Sequence, residues 1–512
     1  MSDLTRRQAL SLAALTGGAA VAGGSVLLGS GSAQAAARDT LPRLPVLRAR
    51  GGVLKASLDA STGAAPIDGT LTSGLWTYNG SFVGPCLRLA PGDRVDLTVR
   101  NDVTAPINTH FHGFWVDPSG DADNVFIEAD PGKSLRSRFE IPRTHPRGLY
   151  WYHPHVHGYT NESLWNGLSG PIILEGGVEA LPQYRGCRDR VLVFKGFALD
   201  PAAATPTMLS VDSASADLVT MTVNGVVNPT MSLRPGGTQI WRMGNMGNDG
   251  FLRIALDGHR FTVLAIDGHP VFDTWTTDEV VLVPGARAEV AVTGVREPGS
   301  YALRTLGYNN GKYGIWQPQV LATVHVEGAS GTPARAPKKI AARPAWLKEK
   351  PVKRRTFTLS ESFSPETGPL FLINGKAFDH QDVHDPFEVE VDTVEEWVVR
   401  NNPAVAAGGA VEGHPFHIHV NHFAVVGRGR WDPATGKSVS YRAVEPRGLE
   451  DTEQVLPLEY VVLRMKFRRF TGKTVFHCHI LFHEDMGMMG AFRIVAKGGG
   501  GDGSGGGHGH GH

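Results

Sequence analysis

Only three cysteines, Cys86, Cys187 and Cys478, occur in 512 residues, so no framework of disulfides holds this chain together. Neither sign of charge is in excess, with 50 Lys and Arg against 50 Asp and Glu. That balance excludes the basic footprint of a nucleic-acid binder or of a protein drawn to an anionic membrane surface. Apolar runs long enough to cross a bilayer are absent after residue 35. Long segments of 3.6-residue hydrophobic periodicity are absent too, so helix is expected to be minor. A small neutral molecule or a metal is left as the partner.

Residues 1–35 read as a processing signal. Arg6-Arg7 precede an apolar run from Ala9 to Gly29, and Ser32-Ala33-Gln34-Ala35 offers a small-residue cleavage site. The segment resembles a twin-arginine leader, which implies export to the periplasm or beyond and no membrane span after cleavage. An uncleaved anchor is the alternative, weakened by four glycines between Gly17 and Gly24. In an oxidising compartment Cys86 and Cys187 either form one disulfide or stay as two buried thiols; spacing alone leaves both open.

A repeat of roughly 150 residues runs through the rest. Asn79-Gly80, Asn224-Gly225 and Asn374-Gly375 each precede an alternating strand that ends in Asn, at Asn101, Asn245 and Asn401. Strands rich in Val, Ile, Thr and Trp, with 63 Gly and 33 Pro at turns, predict an all-β chain of three sandwiches. Their expected bounds are 40–177, 178–328 and 355–497, with an extended linker over 329–354. The Gly- and His-rich tail, 498–512, is expected to be disordered and is either a loose metal binder or an appended tag.

Four His-x-His pairs carry the chemistry: His110/His112, His153/His155, His417/His419 and His477/His479. On an extended strand, residues i and i+2 project from one face, so each pair aims two imidazoles the same way. Two pairs lie in the first sandwich and two in the last. The cluster is therefore expected between those two, with the middle sandwich a spacer that bears no ligand. Imidazoles with one thiolate and a thioether suit copper better than structural zinc, which closes with four ligands. Cys478 stands between His477 and His479, so its sulfur faces away from them and two metal sites must flank one strand. On the sulfur side His414, His483 and Met488 complete a blue-copper set.

The segments His110-Phe-His-Gly113, Trp151-Tyr-His-Pro-His-Val-His-Gly158, His414-Pro-Phe-His-Ile-His419 and His477-Cys-His-Ile-Leu-Phe-His483 through Met488 resemble the four copper motifs of multicopper oxidases. The resemblance implies three consecutive cupredoxin-like Greek-key β-sandwiches and four copper ions. It implies type 1 copper on His414, Cys478, His483 and Met488, and type 2 copper on His110 and His417. The type 3 pair would lie on His112, His153, His155, His419, His477 and His479. His157 shares a strand face with His155 and competes for that role, but in similar proteins the first two histidines of this motif are the ligands.

Reduction of O2 to two waters consumes four protons as well as four electrons, so carboxylates are needed within relay reach. Glu484 follows His483 directly. Asp123 lies on the loop after His112, where similar oxidases place an acid near type 2 copper, and Asp121 is its alternative. The reductant is expected to be a phenol or aromatic amine, as for a laccase. Alternatives are Cu(I), as for a cuprous oxidase, although the chain has ten Met and no Met-rich insert, or copper sequestration without turnover. A monomer is expected.

Overall fold

The computed structural model describes residues 39–311, 314–364, 368–379, 386–402 and 412–498. The leader over 1–35 and nearly all of the tail lie outside them. Among the described residues no helix is long and apolar enough to cross a membrane.

Strands pair within three consecutive sets, as the repeat predicts. In the first, a four-stranded sheet runs in the order Thr70–Tyr78, Val53–Ile67, Arg94–Asp102, Ser134–Glu140. Its companion is five-stranded, in the order Val46–Arg48, Cys86–Leu89, Gly170–Leu174, Leu149–His153, His110–His112. The last set repeats the plan: its five-stranded sheet runs Phe387–Glu390, Met489–Val495, Gly472–Cys478, His414–Ile418, Thr452–Val455. Between them, the strands from Arg188–Phe197 to Gln319–Val326 form a six- and a five-stranded sheet and the small pair Tyr308–Asn309 with Ile315–Trp316.

Two asparagines per repeat explain why the same plan recurs. Asn79, Asn224 and Asn374 all have φ of 54°, and the glycines after them 74°, 84° and 79°. Two successive positive φ angles make the tight turn that Asn-Gly favours. Each Asn side-chain oxygen also accepts a backbone N–H from the neighbouring strand, from Asp59 at 2.7 Å, Val193 at 2.9 Å and Thr358 at 2.8 Å. At the strand ends, the buried Asn101, Asn245 and Asn401 each donate Nδ2–H to two backbone carbonyls, those of Ala105 and Ala129, Gly250 and Leu282, and Glu412 and Val455. One side chain thus closes the loop that follows its strand, satisfying carbonyls that water cannot reach.

Helix is indeed minor: among the described residues, apart from single 3-10 turns, the helices are Thr160–Asn166 and Leu481–Asp485. Neither has a periodic sequence pattern, and both directly follow a histidine motif. The stretch before the last sandwich covers its neighbours. Lys338 and Pro337 carbonyls accept from Thr274, Ile340 and Ala341 donate to Phe272 and Val271, and Trp346 packs against Phe272 and Val394.

All three cysteines are free, so the disulfide between Cys86 and Cys187 is not formed. Their side chains join separate hydrophobic clusters, which keeps them apart. Only Cys86 meets the buried-thiol expectation, and burial pushes it up to about 11; Cys187 is half-buried.

Candidate metal centre

The histidine motifs sit on the inner ends of the two outer five-stranded sheets. His110–His112 pairs antiparallel with Leu149–His153, placing His110 opposite His153. In the last sandwich, His414–Ile418 pairs with Gly472–Cys478, placing His417 opposite His477 and Phe416 opposite Cys478. Both strands run into these residues fully buried. Rings from the two sandwiches then stack, His110 on His419 at 3.7 Å between centroids and His112 on His417 at 3.9 Å.

Three compact groups result. His112, His153 and His479 form one, His155, His419 and His477 a second, and His414, Cys478 and His483 a third. His110 and His417 also converge, with His112 beside them. In the third group the donor atoms form a triangle: Cys478 Sγ lies 3.6 Å from His414 Nδ1 and 3.7 Å from His483 Nδ1, and the two nitrogens are 3.3 Å apart. Met488 is fully buried beside it; its carbonyl accepts the Cys478 N–H and its N–H donates to the His483 carbonyl. His157 instead packs edge-on against Phe378 at 5.1 Å.

Which nitrogen of each ring is free follows from its partner. A backbone carbonyl can only accept, so Nδ1 carries the hydrogen in His153, bonded to Pro154 at 2.8 Å, in His417, bonded to Asp451 at 2.8 Å, and in His477, bonded to Cys478 at 3.0 Å. In His110 the Nδ1–H donates to the Asp123 carboxylate, 3.0 and 3.1 Å from its oxygens. Each Nε2 is then a bare lone pair. Those of His110, His153 and His417 are buried with no protein partner. His477 Nε2 lies 3.1 Å from His155 Nε2 and 3.2 Å from His419 Nε2. His112 is turned round, with Nε2 3.2 Å from Asp451 Oδ1 and Nδ1 3.3 Å from His479 Nε2. Burial first, and neighbouring imidazoles second, push His110, His419 and His479 well below the usual histidine range. Neutral, outward-held imidazoles with orphaned inner nitrogens are what metal ligation requires.

Sequence profiles described as multicopper oxidase match residues 59–178, 198–329 and 348–498. The chain belongs to the multicopper oxidase family. A multicopper oxidase of Staphylococcus aureus is 27% identical over 423 residues, covering 81% of this chain and 83% of that one. A laccase of Bacillus subtilis is 26% identical over 474 residues, covering 81% and 89%. Among solved structures, a multicopper oxidase from Campylobacter jejuni described as a metallo-oxidase superposes with a TM-score of 0.73 at 26% identity, over 89% of this chain and 96% of that one. A laccase from Pediococcus acidilactici gives 0.72 at 26%, over 90% and 94%. As a multicopper oxidase of three cupredoxin-like sandwiches, the chain is an oxidase whose metal is copper.

The donor set fits that metal. Burial pushes the Cys478 thiol well above its usual range, and two imidazoles aimed at the sulfur form a place where a metal, which deprotonates a coordinating thiol, would reverse this.

The acids divide sharply. Asp123 is buried, accepts the Phe111 N–H at 2.9 Å as well as the His110 bond, and is pushed up to about 8 by burial, with the Phe111 bond opposing. Asp121 is exposed and paired with Arg138, so Asp123 is the acid that faces the histidines. Glu484 is fully buried: Oε1 accepts from Thr160 Oγ1 at 3.1 Å and lies 3.4 Å from His155 Nε2, and Oε2 lies 3.0 Å from His477 Nδ1.

Several residues at the site carry no signal in the sequence. Asp485 accepts backbone N–H bonds from Gly158, Thr160 and Asn161 at 2.9, 3.2 and 2.7 Å. It caps the start of the helix Thr160–Asn166 from the last sandwich, doing what a local N-cap side chain does elsewhere. Asp451 lies against His112 and His417, and Arg287 and Asp267 hold it in turn, all three from outside every motif. Spacing cannot find them, because their partners are 164 and 184 positions away.

Proposed function

We propose that residues 1–35 direct export by the twin-arginine route, and that the mature monomer, with domains over 40–177, 178–328 and 355–497, is a laccase-like oxidase of phenols and aromatic amines with O2 as acceptor. In this reading His414, Cys478, His483 and Met488 hold type 1 copper, and His110 and His417 hold type 2. His112, His153 and His479 hold one type 3 copper, and His155, His419 and His477 the other. The four coppers supply one-electron oxidation of the donor and four-electron reduction of O2 to two waters.

The protein's own part is positional. Cys478 and its two peptide neighbours, His477 and His479, join the groups along the main chain, a short covalent path for electrons. Asp123 fixes the His110 ring through Nδ1, and Glu484 stands between His155 and His477. We assign proton supply to these two carboxylates. The observation that carries the reading is the single strand Gly472–Cys478, whose end places a thiolate-and-imidazole triangle on one side and two three-histidine groups on the other.

Donor class is read from a cavity of about 460 Å³ against His483, lined by Phe482, Trp165, Trp316, Asn161 and Asp249. Flat aromatic walls with polar groups among them suit a small aromatic ring bearing a hydroxyl or amine. Burial pushes Asp249 up to about 6. One observation favours oxidation of Cu(I) as a second reading: Glu361 Oε1 lies 3.4 Å from His414 Nε2 and Glu412 Oε2 3.6 Å from His483 Nε2. A cation held there would touch the outer edges of both rings.

Oxygen uptake by copper-loaded protein given a phenol, Cu(I), or no donor separates these. Fast uptake with the phenol and slow uptake with Cu(I) is expected. Uptake with Cu(I) alone would replace the laccase reading by the second, and tight copper binding without uptake would leave sequestration.

A further inference from the structure

A buried guanidinium of the middle sandwich bears on the histidines through Asp451. Arg287 has no solvent exposure, and its donors are shared among all three sandwiches. Nη1 and Nη2 each bond an oxygen of Asp451 at 2.7 Å, Nε donates to the Leu149 carbonyl at 3.3 Å, and Nη1 also donates to the Gly285 carbonyl at 3.2 Å. Asp451 passes this geometry on. Its Oδ1 faces His112 Nε2 at 3.2 Å, and its backbone carbonyl accepts His417 Nδ1–H at 2.8 Å. Its other oxygen lies 3.7 Å from His422 Nε2, whose ring packs on His269 of the middle sandwich at 3.9 Å. Asp267, also of the middle sandwich, accepts the Arg287 N–H on one oxygen and the Asp451 and Thr452 N–H groups on the other, at 2.9, 3.1 and 3.2 Å.

Close backbone approach completes the arrangement. Gly285, at φ 85°, leaves so little room that a Cβ would stand 2.8 Å from His479 Cδ2 and 3.1 Å from His112 Cε1. A Cβ on Gly113 would strike Arg287 and Asp451 themselves. Only glycine allows the pair to sit against the ligand strand.

We infer that Arg287 and Asp451 form a positioning pair by which the middle sandwich sets the ring orientation and tautomer of His112 and His417, and thereby the type 3 and type 2 coppers that these two rings would hold; this rests on the ligand assignment proposed above. The planar fork of Arg matches both carboxylate oxygens at once, which Lys cannot do. With both oxygens held, Asp451 cannot rotate; its carboxylate makes His112 present Nδ1, and its main-chain carbonyl, fixed in the same place, makes His417 present Nε2.

The test uses copper-loaded holoenzyme of the parent, Arg287→Lys and Asp451→Asn. Expected in both variants is type 1 visible absorption equal to the parent's, an altered or diminished type 2 electron paramagnetic resonance signal, and O2 turnover lower by about tenfold to a hundredfold, as for other outer partners of metal-bound histidines. Anaerobic reduction of type 1 copper by the donor should keep the parent rate. A parent-like type 2 signal and turnover in both variants would overturn the inference. If Arg287→Lys fails to fold, Asp451→Asn decides by the same two readouts. Absence of a type 2 signal in the parent itself would instead count against the ligand assignment.

Discussion

Replacing Cys478 by Ser is expected to abolish the intense visible absorption of copper-loaded protein and to lower donor-driven O2 uptake by about a thousandfold or more, as when one member of a group acting as a unit is removed. Cys478 supplies the sulfur of the group, 3.6 and 3.7 Å from two imidazole nitrogens, and would bind the metal as thiolate. A hydroxyl there is nearly the same shape, so the strand Gly472–Cys478 and its register with Phe416 should persist. Ser is not a soft anionic ligand, however, and the copper chemistry of a two-imidazole, one-thiolate triangle is lost with the sulfur. The histidines on the far side keep their places, so a type 2 signal should survive. Absorption and resonance spectra of one preparation check both halves. Full colour and turnover in the Ser variant would remove the type 1 assignment.

The second large effect is expected from the two buried carboxylates. Asp123→Asn and Glu484→Gln should each lower O2 turnover by roughly a hundredfold, within the range found when a positioned proton donor is removed. Type 1 absorption and the rate of its reduction under anaerobic conditions should stay near the parent's. Asn at 123 can still accept the Phe111 N–H, but its amide cannot satisfy the His110 Nδ1–H and carry a proton as a carboxyl does. Gln at 484 keeps an acceptor for Thr160 Oγ1. Both changes therefore spare much of the packing while removing a group that can take up a proton and pass it on. Stopped-flow reduction beside steady-state oxygen consumption separates the steps. Slowing of both steps alike would assign these acids to donor oxidation or folding rather than to proton supply.

Much of the centre was legible because strand geometry is local. Residues i and i+2 share a face, so His110 with His112 and His477 with His479 could be oriented from spacing alone, and Cys478 between them could be turned the other way. The Asn-Gly turns and terminal asparagines were legible for the same reason, each being a backbone requirement met by one residue type. His483 was different: it reaches the sulfur side through the helical turn Leu481–Asp485, which five residues cannot announce by periodicity. Asp123 was preferred to Asp121 on the resemblance alone, not on local pattern; burial and the His110 bond separate them. Arg287, Asp267 and Asp451 were illegible, because a contact made across three sandwiches leaves no trace in local pattern. The cavity against His483 belongs to the same class, being lined by the Thr160–Asn166 helix together with residues far from it in the chain, such as Asp249, Trp316 and Phe482.

In the function we propose, donor oxidation beside Cys478 and O2 reduction among the histidines are coupled. The most direct measurement of that coupling is the number of one-electron donor molecules oxidised per O2 consumed by copper-loaded protein, with hydrogen peroxide assayed in the same vessel. A ratio of four without peroxide is the expected result. A ratio of two with peroxide released would contradict the account.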